Sequence, residues 1–202
     1  MGKTIQVGVT GGIGVGKTTV GQIFETLGAP IYKSDDRAKI LMNSNDQLKS
    51  QIIEAFGYDA YNRDKQLNRS YLATVVFNNP KKLQVLNSLV HPAVLEDYRN
   101  WFSEQNNVPY TIKEAALMFE TDSHKSMDCI IVVTCPINLR IDRIVKRDHM
   151  KRDEVLKRIE NQMSDKQRLE KAQYRVKNDG KQSIIKQTID LHHKFLNLSK
   201  NA

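Results

Sequence analysis

The sequence predicts an α/β protein in which an open parallel sheet is covered by helices on both faces. Three observations carry that reading. Segments with the two-residue period of strands alternate with segments at helical spacing. A continuous apolar run from Cys129 to Pro136 suits a strand buried on both faces. A glycine-rich loop lies between the first strand and the first helix.

The elements follow in order. In TIQVGVT, Ile5, Val7 and Val9 alternate as in a strand. After the loop, Val20, Ile23, Phe24 and Leu27 mark a helix from Thr18, stopped at Gly28. A short strand follows over 29–33, with Pro30 at its start. Asp35 or Asp36 caps the next helix. The stretch 46–105 reads as mostly helical: DQLKSQIIEAF stopped by Gly57, a polar turn, RSYLATVVF, then NPKKLQVLNSLV capped by Asn79. His91-Pro92 is read as ending that helix and starting PAVLEDYRNWF. Strands return in YTIKEAALMFE and CIIVVTCP. Two helices follow, NLRIDRIVKRD and RDEVLKRIENQM, then a last strand YRVKN and a closing helix over 182–198.

Gly11 to Thr18, GGIGVGKT, fits the pattern G-x-x-x-x-G-K-[ST] in the strand–loop–helix context that gives it meaning. Glycines let successive backbone N–H groups turn toward phosphate oxygens, and Lys17 reaches the terminal phosphates. Thr18 offers a hydroxyl to Mg²⁺ and opens a helix whose positive end faces the anion. The dinucleotide fingerprint is a weaker match, since it leaves Lys17-Thr18 without a role. The sequence therefore predicts a phosphate-loop NTPase-type three-layer sandwich with a helical substrate lobe and a lid.

Composition narrows the partners. The 202 residues suffice for one well-buried domain and leave room for a smaller attached lobe. No apolar run reaches the ~20 residues of a membrane span. The Met1-Gly2 start lacks a signal-peptide core, and Gln6 stands where a myristoylation signal has Ser or Thr. A cytoplasmic protein without membrane partners is expected, with Cys129 and Cys135 as reduced core thiols. The net charge of +8 points to an anionic ligand. The basic residues crowd 140–186, where Tyr174 is the only aromatic. That disfavours a single-stranded nucleic-acid platform and favours polyphosphate, with a solvated basic face as the alternative.

The reaction class follows by exclusion. GTPase signatures Asp-x-x-Gly after a strand and Asn-Lys-x-Asp are missing, and the apolar strand ends in Thr134-Cys135-Pro136 rather than the aspartate of a motor ATPase. A small-molecule kinase remains. Asp35, just after the second strand, is placed to take a proton from an attacking hydroxyl, or else to cap a helix. Arg140, Arg143 and Arg147 share a helix face and Arg152 follows, an arrangement suited to a lid over the nucleotide. His91 by itself reads as a packed or capping residue. Another nucleoside or nucleotide kinase, or a non-catalytic ATP-binding regulator, stays open on these features.

VTGGIGVGKTT, APIYKSDDRAK, LNSLVHPAV, IVKRD with KRDEVLKRIENQ, and KNDG resemble the dephospho-CoA kinase family in order and spacing. The resemblance implies transfer of the γ-phosphoryl group of ATP to the ribose 3′-hydroxyl of dephospho-CoA, the last step of coenzyme A synthesis. It implies one kinase domain over 1–202, monomeric or weakly self-associating. Its nucleotide core would span 1–45, 108–140 and 172–202, with a CoA-binding insertion over 46–107 and a lid over 140–171. Gly11, Gly12, Gly14, Val15, Gly16, Lys17, Thr18 and Thr19 would bind ATP, with Thr18 at Mg²⁺. Asp35, Lys17 and Arg147 would be catalytic. Arg143 and Arg152 would face phosphate, Asn178 would lie near the adenine, and His91 in the acceptor site with Asp35. Lys33 stands where the family often has a first Asp, Ala116 where it has Pro, and Gln173 where it has Asp.

Overall fold

The computed structural model describes residues 3–77 and 79–201; the Met1-Gly2 start lies outside them. By its packing the chain divides into two compact units, Met1–Lys33 with Glu104–Ala202, and Ser34–Ser103.

The first unit is built on a five-stranded sheet in the order β2-β3-β1-β4-β5, with every pair parallel. The strands are β1 (Ile5–Thr10), β2 (Ile31–Lys33), β3 (Tyr110–Glu114), β4 (Cys129–Thr134) and β5 (Tyr174–Lys177). Alternation sorts their side chains between two faces. On one face Val7, Val9, Ile112, Ile131 and Val133 pack against Val20 and Phe24 of α1 (Lys17–Thr26) and Leu191 and Phe195 of the closing helix, Ile184–Lys200. On the other, Ile130 and Val132 meet Met118, Phe119 and Leu169. These are the three layers the sequence predicts. Cys129 and Cys135 are buried free thiols; burial pushes Cys129 up to about 12, which suits inert core residues. Gln173 lends its side-chain oxygen to the Ile130 N–H at 2.8 Å, tying the starts of β4 and β5.

All strand C-termini lie at one edge of a parallel sheet, the edge where such folds bind ligands. The glycine loop follows β1, Glu114 ends β3, Cys135 follows β4 and Asn178 follows β5.

The second unit contains α2 (Ser34–Ser44), α3 (Asp46–Phe56), α4 (Arg69–Phe77) and α5 (Pro80–Ser103). Leu41, Leu48, Ile52, Phe56, Leu72 and Val90 form its core. The start of this insertion shifts from the expected 46 to Ser34, because Ala38, Leu41 and Met42 of α2 pack into that core. A bidentate ion pair, Arg37 to Asp97 at 2.8 and 2.5 Å, joins α2 to α5. Asn79 caps α5 through the Lys82 N–H, as expected.

His91-Pro92 does not divide two helices. Pro92 lies inside α5, which runs unbroken to Ser103. The ring removes one backbone donor, but Val90 and Tyr98 are buried on either side of it and hold both halves in register.

In the first unit, α6 (Ile137–Asp148), α7 (Arg152–Glu160) and α8 (Asp165–Glu170) follow β4, and α9 is the closing helix. Ile141, Ile144 and Val155 pack together with Ile13 from the glycine loop. Among the described residues no helix is long and apolar enough to cross a membrane.

Candidate active site

The loop after β1 is held from several sides. Gly16 is left-handed, with φ 93°, and caps α1 at its start. Lys17 opens the helix and folds its ammonium back onto the Gly11 and Gly12 carbonyls, at 3.0 and 3.3 Å. Ile13, at the tip, has both backbone groups engaged. Its N–H donates to Gln162 at 2.9 Å and its carbonyl accepts from Arg140 Nε at 2.9 Å. The Val15 carbonyl accepts from Asn178 Nδ2 at 2.9 Å.

Beside the loop, the exposed Thr18 hydroxyl donates to Glu114 Oε1 at 2.9 Å. Glu114 is paired in register with Val9 on one side and Lys33 on the other. Lys33 reaches Glu25 at 3.3 Å. Thr19 is exposed on the first turn of α1.

The predicted arginines separate. Arg140 is buried, not an exposed lid residue: Gly12 has no Cβ, and the Arg140 guanidinium fills that space. The charge is balanced by Asp165 at 3.6 Å, which also reaches the fully buried Arg168; Arg168 in turn meets Glu120. Burial lowers the Arg168 pKa and the two carboxylates oppose that shift. Arg143 is exposed; it donates to Asn178 Oδ1 at 3.2 Å and approaches Cys135 Sγ at 3.4 Å. Arg147 closes on Asp148 with two bonds, at 2.7 and 2.8 Å, and that bonding holds the Asp148 carboxyl below its usual range. Arg152 turns to Asn138 and Asp142, on a different stripe of α6 from Arg143 and Arg147.

In the helical unit, Asp35 is exposed on the first turn of α2, two residues after β2 ends. Asp36 pairs with Lys39 at 2.8 Å, whereas Asp35 makes no ion pair among the described residues. Helix α2 begins at Ser34, so neither aspartate is its cap; both lie inside the positive first turn. His91 is half-buried on α5, and burial lowers its pKa, so the ring is neutral at pH 7.

The chain matches the family model described as dephospho-CoA kinase over residues 5–183. That match spans the loop, both units and all five strands. This chain belongs to the dephospho-CoA kinase family. It is 38% identical over 176 residues to the dephospho-CoA kinase of Salinibacter ruber, covering 86% of this chain and 88% of that one. It is 33% identical over 187 residues to the dephospho-CoA kinase of Bacteroides fragilis, covering 93% and 91%. A crystal structure from Thermus thermophilus superposes with a TM-score of 0.80 at 28% identity, covering 95% of this chain and 97% of that one.

Within this dephospho-CoA kinase family member, sequence reasoning missed Glu114, Gln162 and the loop-facing role of Arg140. Glu114 and Thr18 are 96 positions apart and meet only through strand order. Gln162 lies 149 positions from Ile13. The one available signal was the departure at 33: a lysine there stands next in register to a carboxylate on β3.

Proposed function

We propose that this chain transfers the γ-phosphoryl group of ATP to the 3′-hydroxyl of the ribose of dephospho-CoA, giving ADP and coenzyme A. Membership of the family, joined to a phosphate loop at the sheet's C-terminal edge, carries this reading. Backbone amides of Gly11, Gly12 and the run from Gly14 to Thr19, with the Lys17 ammonium, hold the ATP phosphates. Lys17 exchanges its two carbonyl bonds for phosphate oxygens. Asp35 accepts the proton as the hydroxyl oxygen bonds to the γ-phosphorus and the bond to the β-phosphate bridge breaks. Arg143, Arg147 and Arg152 neutralise phosphate charge. Arg147 is released from Asp148 for that purpose, an exchange of one anion for another. His91, neutral and half-buried, lies in the acceptor site.

The hydroxyl of Thr18 and the carboxylate of Glu114 are hard oxygen donors beside each other, a set that fits Mg²⁺. Bound there with ATP, Mg²⁺ would neutralise phosphate charge; Thr18 and Glu114 would hold it.

The test is acceptor choice. Purified protein, ATP and Mg²⁺ are incubated with dephospho-CoA or with a nucleoside monophosphate, and ADP release is followed with the mass of the acceptor. Dephospho-CoA is expected to gain one phosphoryl group, and Lys17→Ala to abolish the gain. Phosphorylation of the monophosphate with dephospho-CoA unchanged overturns the proposal, as does ATP binding without transfer to either acceptor.

A further inference from the structure

We infer that Arg140 and Asn178 are positioning residues that aim the phosphate-loop amides, each by gripping a carbonyl one residue before a glycine. The inference rests on the reading that this loop binds the ATP phosphates. Three alternate carbonyls, those of Gly11, Ile13 and Val15, each accept a hydrogen bond from a side chain. The donors are Lys17, Arg140 and Asn178, at 3.0, 2.9 and 2.9 Å. A trans peptide is planar, so a residue's carbonyl and the next residue's N–H point in opposite directions. Pulling these carbonyls outward turns the N–H groups of Gly12, Gly14 and Gly16 the other way. Those three amides donate to no protein group among the described residues. Unpaired amides aimed alike form an anion-binding concavity.

The grips of Arg140 and Asn178 are themselves fixed. Arg140 is buried against Asp165, and the Asp165–Arg168–Glu120 chain anchors it to α8 and to the segment after β3. Asn178 is fixed at both ends: its backbone N–H donates to the Thr134 carbonyl at 2.8 Å, and its Oδ1 accepts from Arg143. With the oxygen committed to Arg143, the amide nitrogen faces Val15. The glycines complete the device. A Cβ on Gly12 would run into the Arg140 guanidinium, and one on Gly16 into the Asn178 amide. The loop therefore needs glycine partly to admit its own braces. The amides are aimed before phosphate arrives, so binding does not have to reorder them. Asn178 thereby acts on the phosphate end of ATP, where the family resemblance placed it at the adenine.

Two variants test this. Asn178→Leu keeps the volume and removes the donor. Arg140→Lys keeps a positive charge facing Asp165 and removes the planar Nε donor. Inorganic tripolyphosphate and adenosine are each measured as inhibitors competing with ATP, and the backbone amides are followed by ¹⁵N NMR. Asn178→Leu is expected to weaken tripolyphosphate about tenfold, the scale of one hydrogen bond serving a charged ligand. Adenosine inhibition should stay within about twofold, and KM for ATP should rise with the tripolyphosphate constant. Among the loop amides, Gly16 should shift most in Asn178→Leu and Gly14 most in Arg140→Lys. Weakened adenosine with unchanged tripolyphosphate would place Asn178 at the base and overturn the inference. Unchanged tripolyphosphate in both variants would also overturn it, as would amide shifts spread evenly along the loop. The amide shifts on titration with tripolyphosphate need no acceptor, so that arm stands or falls separately from the identity of the acceptor.

Discussion

The Thr18 hydroxyl, in the first turn of α1, donates to the Glu114 carboxylate at the end of β3 across 2.9 Å. This bond joins the last residue of the phosphate-loop motif to the strand beside it. Glu114→Gln retains an oxygen that can accept from Thr18 but removes the charge. The Mg²⁺ concentration that half-saturates ATP binding is expected to rise about tenfold, since one carboxylate is a large share of a site completed by phosphates and water. ATP binding in a chelator should not weaken. Calorimetric titration with and without Mg²⁺ separates the two, and an unchanged Mg²⁺ dependence would show that Glu114 only orients Thr18.

Asp35 and Asp36 occupy the same helical turn, yet among the described residues only Asp36 has a cationic partner, Lys39. Asp35→Asn should therefore leave α2 intact. Turnover is expected to fall by ~10²-fold or more, the usual contribution of a positioned base. ATP affinity should stay within about twofold, because the base acts on the acceptor. Steady-state kinetics beside ATP titration checks this; near-normal kcat would reduce Asp35 to a favourable charge on a helix N-terminus.

Much of the fold was legible because periodicity is local. The α3 and α4 helices, bounded by Gly57 and by the polar turn, fall where the apolar spacing puts them. The loop, its flanking strand and its helix were legible for the same reason. Arg140 was misread because periodicity places Arg140, Arg143 and Arg147 on one face without saying what covers it; Arg140 faces the loop and Asp165, while the other two are exposed. The short helix α8, held by a capping box between Ser164 and Gln167, is too brief for a periodic signal. Asn178 reaches Val15 from 163 residues away, and only sheet order brings them together.

Pro92 bears on stability directly. It is exposed and lies inside α5, where it denies the Ser88 carbonyl its helical donor. A proline in a helix interior costs roughly 3 kcal/mol against alanine, offset by about 1 kcal/mol from its stiffer unfolded chain. Pro92→Ala is expected to stabilise the helical unit by about 2 kcal/mol. Urea unfolding followed by circular dichroism measures it. Destabilisation would mean that the ring itself fills a needed contact.

Lys113 makes stability depend on alkaline pH. It is 2% exposed on β3, next in register to Gly8 and Tyr32, and burial pushes its ammonium down to about 8 from 10.5. Between those values the unfolded chain binds the proton and the folded chain does not. Stability therefore rises with pH across this window, and the contribution is lost as pH falls through about 8. The full effect is on the order of 3 kcal/mol. Cys129 and Tyr110, both raised by burial, act in the opposite sense above their unfolded values. The comparison is therefore between the parent and Lys113→Met, in which those groups are common to both. The stability of the parent relative to Lys113→Met is expected to improve between about pH 7.5 and about pH 9.5, because Lys113 sheds its proton only in the parent's folded state. Equal pH slopes in the two proteins would mean that the ammonium keeps an ordinary affinity for its proton.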